Sequence, residues 1–251
     1  MTPCFRSWVL AVCTVLCHGL AASTAAGQVR LELELEYRSV LQFEPVFAFV
    51  RVHNDSGSVL AIDGERGPEL AFRIEVDSER QSGRRLRGRS VDYLRVDPDD
   101  DALAVVDLSR WYDIREQRRY VVRATMTWKG RTYRSNAALL DVVPGIEIKS
   151  VRRQVPGYDD LSRTYSLRYW GRDQREHLFL RVDEVPSGLN YGVFLLGELV
   201  RVQQPELKVE RSGRIVVVHQ SAVGVFTRSR FRSTGGGVAF IGQTLYGEDG
   251  T

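Results

Sequence analysis

This sequence predicts an all-β protein in two parts, a sandwich or barrel followed by an antiparallel meander. Three observations predict it. Most apolar segments alternate with polar residues at period two, turn residues separate them at short intervals, and helical periodicity is nearly absent. Many short strands with turn signals between them close into sandwiches or barrels.

The first element stands outside that fold. Residues 1–27 carry one positive charge at Arg6, an apolar run from Trp8 to about Ala22, and the small-residue stretch Ala21-Ala22-Ser23-Thr24-Ala25-Ala26-Gly27. That is the pattern of a secretory signal peptide, cleaved near Gly27. Lipidation is disfavoured because Cys13 follows Val12 and Cys17 follows Leu16, where a small residue is expected. No later segment reaches the ~18 apolar residues a membrane helix needs, so no transmembrane segment is expected.

Cys4, Cys13 and Cys17 all lie in this leader, so the mature chain from Gln28 has no thiol. Disulfides, CxxC redox chemistry and cysteine metal sites are excluded together. An exported chain stabilised by its core alone suits a bacterial envelope, periplasmic or secreted. The net charge of +3 becomes +2 without Arg6, and the only lysines are Lys129, Lys149 and Lys208. Arginine dominates, and its planar fork suits carboxylate or phosphate partners.

Residues 28–144 form the first module. Val29, Leu31, Leu33, Leu35 and Tyr37 share one face of a strand whose other face is Arg30, Glu32, Glu34 and Glu36. A second strand runs from Val46 to His53 and ends in the turn residues Asn54-Asp55-Ser56-Gly57. The alternation returns at Leu70 to Val76 and at Tyr120 to Trp128, where Lys129-Gly130 predicts a hairpin leading into Tyr133. A turn or two around Leu108 to Ile114 is the one helical candidate. Val143-Pro144-Gly145 interrupts the pattern and marks the boundary.

Residues 145–251 form the second module. Strands are predicted at Ile146 to Val151, around Tyr165 to Tyr169, and at His177 to Val182, Tyr191 to Val202 and Leu207 to Val209. Three more follow at Ile215 to His219, Val225 to Phe231 and Val238 to Leu245, with turns at Pro186-Ser187-Gly188, Ser212-Gly213 and Thr234-Gly235-Gly236-Gly237.

Two stretches resemble known families. Val106-Asp107-Leu108-Ser109-Arg110-Trp111-Tyr112-Asp113-Ile114 with Arg119 to Arg123, and the earlier Glu44-Pro45-Val46 and Asn54, resemble the immunoglobulin-like module that precedes deuterolysin-type secreted peptidases. The resemblance covers about 100 residues and implies an immunoglobulin-like β-sandwich for 28–144. The glycine expected two residues before Tyr120 is Arg118, and no His-Glu-x-x-His occurs, so no peptidase follows. The stretch Pro205 to His219 is similar to a single blade of a sialidase-type propeller. Radial closure takes at least about four blades, so a small meander is expected instead.

Candidate chemistry is sparse. The mature chain offers only His53, His177 and His219 as nitrogen ligands, too few for zinc at strand ends, and no metal or cofactor is expected. Asp97-Pro98-Asp99-Asp100-Asp101 could hold calcium but lacks EF-hand spacing, so an exposed acidic turn is expected. Asp159-Asp160 and Asp183-Glu184 could supply the carboxyl pair of a glycoside hydrolase. Gly235 to Gly237 have no following Lys-Ser/Thr, so a flexible hairpin loop is expected there rather than a phosphate cradle. The runs Arg84-Arg85-Leu86-Arg87-Gly88-Arg89 and Arg228-Ser229-Arg230-Phe231-Arg232 could each bind an anionic polymer. The second also fits the wet face of a strand, so Arg84, Arg85, Arg87 and Arg89 are the stronger basic candidates. The aromatics Tyr158, Tyr165, Tyr169, Trp170 and Tyr191 could form a sugar-stacking platform, although core packing explains most of them, and Tyr158 and Trp170 are the candidates carried forward.

The expected function is therefore a non-catalytic exported envelope protein that binds a protein or glycan partner, with no role in nucleic-acid binding. A hydrolase of glycans or esters using Asp183 or Glu184 and an anion-binding module using Arg84 to Arg89 are the alternatives.

Overall fold

The structure, a computed structural model, describes residues 29–63, 68–76 and 90–248. The expected leader at 1–27 and the candidates Arg84, Arg85, Arg87 and Arg89 lie outside the described residues. The described fold is all-β, and its one helical turn is a 3-10 turn at Leu108–Arg110, where the helical candidate was expected.

The N-terminal half contains β1 (Val29–Leu35), β2 (Ser39–Leu41), β3 (Phe47–Asn54), β4 (Leu60–Asp63) and β5 (Glu69–Val76). It continues with β6 (Tyr93–Val96), β7 (Asp100–Asp107), β8 (Arg119–Trp128), β9 (Arg131–Arg134) and β10 (Ala138–Val143). One sheet has the order β1-β3-β7, a second β2-β10-β8-β5 with β9 hairpinned onto β8, and β4 pairs with β6. The alternation of β1 decides its placement. Val29, Leu31, Leu33 and Leu35 are buried while Arg30, Glu32 and Glu34 are exposed, and Leu33 sits opposite Val50 of β3. Asn136 seals the outer edge of β1, since the Leu33 N–H donates to its Oδ1 and its Nδ2 donates to Leu33 O, both at 2.9 Å.

The C-terminal half contains β11 (Ile146–Gln154), β12 (Ser162–Arg172), β13 (Arg175–Val185) and β14 (Asn190–Glu198). Then come β15 (Glu206–Val209), β16 (Arg214–Ala222), β17 (Val225–Thr234) and β18 (Gly237–Gly247). The strand expected over Tyr191 to Val202 ends at Glu198, and the chain from Leu199 to Pro205 crosses to a second sheet. Two four-stranded meanders, β11-β12-β13-β14 and β15-β16-β17-β18, therefore face one another. Tyr165, Leu167, Leu178 and Leu180 from one meet Ile215, Val217 and Phe231 from the other. Burying a side chain such as Phe231 contributes about 2–3 kcal/mol.

β13 explains its own sequence. Leu178, Phe179 and Leu180 are consecutive and all fully buried, because Leu178 and Leu180 face β15–β18 while Phe179 faces the N-terminal half with Leu41 and Val193. The sheet β11–β14 is thus a middle layer.

Candidate functional site

The outer face of β15–β18 brings five cations together among the described residues. Leu207, Val209, Ile215, Val217 and Phe231 point inward and are buried. The alternate residues Lys208, Arg214, Val216, Val218, Arg228, Arg230 and Arg232 must then point outward. Pairing register assembles them, with Arg214 opposite Arg232, Val216 opposite Arg230 and Val218 opposite Arg228. Lys208 lies opposite Val216 from the other side. With Glu210, the cations Lys208, Arg214, Arg228 and Arg230 line an open depression of about 430 Å³ that also includes Val216 and Val218.

Two cations placed directly opposite, as Arg214 and Arg232 are, repel one another. Many arginines elsewhere pair with carboxylates, as in Arg51–Asp101 at 2.7 Å, Arg119–Asp141 at 2.7 Å and Arg168–Glu147 at 2.6 Å. On this face Arg214, Arg230 and Arg232 have no carboxylate partner among the described residues. Arg228 lies over the Tyr246 ring at 5.0 Å, and Lys208 stands 4.0 Å from Glu210 at the margin. Strand geometry spaces Arg228, Arg230 and Arg232 about 6.8 Å apart along β17, with the next strand about 4.8 Å away. A surface of this kind presents several guanidinium forks to one extended anionic ligand.

The seam between the halves holds the second concentration of polar groups. Arg172 donates to both oxygens of Glu44, at 3.1 and 2.7 Å, and both side chains are buried. Glu44 also accepts from the Leu41 N–H at 2.8 Å, while the Arg172 guanidinium stacks on Tyr37 at 3.9 Å. Arg181 donates to Gln42 Oε1 at 3.1 Å and lies over Phe43. Trp170 belongs to this seam, its Nε1 donating to Ser39 Oγ at 2.9 Å. Beside the seam lies an apolar cleft of about 410 Å³ lined by Phe47, Val193, Leu195 and Phe240, with Glu36 at its rim.

Tyr158 is half exposed in the loop between β11 and β12. It packs on Gly235, where an added Cβ would stand 2.3 Å from the ring and would push the tyrosine aside. Tyr158 precedes the start of β12 and Trp170 lies near its end, so eight strand residues, roughly 26 Å, separate their surroundings. They do not form one stacking platform.

The hairpin at Gly235 to Gly237 is held rather than free. Arg163, fully buried, donates to Ser233 Oγ, Thr234 O, Gly235 O and Gly237 O at 2.7–3.2 Å and stacks on Tyr191 at 3.8 Å. Those acceptors replace the water that a buried guanidinium loses.

The candidate carboxylates are individually occupied. Asp183 accepts from Arg181 at 2.7 Å and from Asn190 at 3.0 Å. Glu184 accepts from Ser187 at 2.7 Å and from Tyr191 at 2.8 Å, and these hydrogen bonds hold its carboxyl below the usual range. As neighbours on β13 the two point to opposite faces, and a general acid for glycoside hydrolysis needs its pKa raised. Asp97 and Asp101 are paired with Arg95 and Arg51, and of the expected acidic turn only Asp97 to Asp99 lies between β6 and β7, Asp100 and Asp101 opening β7. Among the described residues no group of three or more His, Cys, Asp or Glu could hold a metal ion. His219 is buried, with its Nε2 3.1 Å from Glu198 O, and burial pushes its pKa down to about 4.

Alternation placed Arg228, Arg230 and Arg232 on a wet face from the sequence alone. Lys208 and Arg214 were missed as their partners, because only the pairing register brings them alongside. No known family and no curated protein matches the chain. Among solved structures, the sporulation control protein Spo0M from Bacillus subtilis is similar over 64% of this chain and 82% of its own, at 12% identity and a TM-score of 0.32. No helix among the described residues is long and apolar enough to cross a membrane.

Proposed function

We propose that this chain is a non-catalytic exported protein of the cell envelope that binds a protein or glycan partner bearing several anionic groups. The β15–β18 face is the binding surface. One observation carries the reading: arginines are paired with carboxylates across much of the molecule, yet Arg214, Arg230 and Arg232 are exposed together without such partners. The N-terminal half, in this reading an immunoglobulin-like sandwich, braces the site from behind through the middle sheet. The hydrolase alternative draws no support from Asp183 and Glu184, which are bound to separate neighbours on opposite faces of β13.

The test is titration of the full chain with poly-L-glutamate and with dextran sulfate at about 0.05 and about 0.5 M salt. Binding is expected at low salt, to weaken steeply at high salt, and to be lost in the triple variant R214A/R228A/R230A. Equal binding by the triple variant would refute the assignment of the face.

A further inference from the structure

We propose that β18 is a docking strand for an extended segment of a partner protein, one that alternates apolar residues with aspartate or glutamate. The assignment goes beyond the anion-binding reading and rests on it only through Arg230.

β18 ends its sheet. Its eleven residues, GVAFIGQTLYG, contain no charge and no proline. Among the described residues, no backbone hydrogen bond outside the strand pairings involves residues 237–247. Gly237 O accepts from Arg163, and the outward N–H and C=O groups of the rest of the strand are open to another strand, the arrangement by which extended peptides add to sheets. Natural proteins protect such edges with charge, bulges, short strands or caps. The other edges of this half are protected in those ways. β11 carries Glu147, Lys149, Arg152 and Arg153, β15 has four residues, and the pairing of β14 is broken by two register shifts. In the N-terminal half, β1 is capped by Asn136. β18 has one irregularity, a register shift that takes up Ile241, and it leaves Gly242 to Gly247 in unbroken pairing with β17.

The two faces along this edge differ, and they define the occupant. On the inner side Leu245 is 69% exposed and Phe240 54% exposed, and Phe240 borders the cleft lined by Phe47, Val193 and Leu195. Apolar side chains of an added strand would cover them. On the outer side Arg230 stands opposite Gly242. Because Gly242 has no side chain, the guanidinium extends over β18, with its Nη2 3.7 Å from where a Cβ would be. It thereby delivers positive charge to the free edge. Aspartate or glutamate at every second position of the incoming segment meets that charge. A second copy of β18 brings no acidic residue and sets two basic faces side by side.

The test uses the full chain and a fluorescein-labelled seven-residue peptide alternating leucine with aspartate, beside a control with lysine in place of aspartate. The aspartate peptide is expected to bind at least about tenfold more tightly than the control, with new hydrogen-exchange protection over residues 242–247. R230E is expected to invert the preference. L245K, at an exposed position that leaves the core intact, is expected to abolish peptide binding while poly-L-glutamate binding persists, which separates this inference from the anion-binding reading. Equal binding of the two peptides, unchanged affinity in L245K, or protection elsewhere than 242–247 would overturn the proposal. Protection of 242–247 that grows with protein concentration alone, together with a dimer in sedimentation, would overturn it in favour of a second copy.

Discussion

Removing Arg172 isolates the seam between the two halves. Its guanidinium and the Glu44 carboxylate are 3% and 8% exposed and share two hydrogen bonds, so neither charge has water as an alternative partner. Replacing Arg172 with methionine keeps much of the packing against Tyr37 and Phe179 but leaves Glu44 charged and buried. Breaking a buried pair on one side costs about 3–5 kcal/mol. For a chain of this size that corresponds to a fall in Tm of roughly 6–20 °C. Glu44→Leu is expected to cost a similar amount by stranding Arg172. The double variant E44L/R172M should lose less than either single variant, because no uncompensated charge remains. Urea denaturation of all four proteins, followed by tryptophan fluorescence and circular dichroism, completes the cycle. Single losses below about 1 kcal/mol that simply add in the double variant would refute the reasoning, since that is how a solvated surface pair behaves.

Two further outcomes follow from buried groups. His219 has a folded pKa of about 4 against the ordinary 6.5 of a histidine, so the unfolded chain takes up the proton first as pH falls. Its contribution is complete above pH 6.5 and is lost as pH falls towards 4, about 3 kcal/mol in all. His219→Leu should flatten that part of the stability profile relative to wild type, and an identical pH slope in the variant would contradict it. Gly213 has φ +81° and an added Cβ would stand 2.3 Å from Ser233 O, so Gly213→Ala is expected to cost about 1–3 kcal/mol in chemical denaturation. A variant as stable as wild type would contradict the β16–β17 geometry.

Period-two alternation made most strands legible, because a residue on one side of a strand shares a single environment. β1 and β17 read correctly for that reason, with the arginines of β17 on its exposed side. The same rule concealed the seam. Trp170 and Arg172 alternate with Tyr165, Leu167 and Tyr169, and alternation alone does not show that the N-terminal half covers their side of β12. The uninterrupted run Leu178-Phe179-Leu180 was the available signal that both faces of the middle sheet are covered. Glu44 and Arg172 lie 128 residues apart, and no local pattern pairs them. The crossover after Glu198 was hidden because Leu199, Val200 and Val202 continue an apolar strand, although Val202 is in fact exposed. Lys208 and Arg214 join the basic face through register, which depends on where Ser212-Gly213 turns the chain. Arg163 gives no sign in sequence of holding the glycine hairpin, because its acceptors are backbone carbonyls.

A paired capture from native envelope extract uses the full chain and its R214E/R228E/R230E variant as baits, read by quantitative mass spectrometry across graded salt washes. A defined set of anionic proteins or glycans is expected to be retained by the wild-type chain, released as salt rises, and absent from the variant. Retention of the same set by both baits, indifferent to salt, would contradict it.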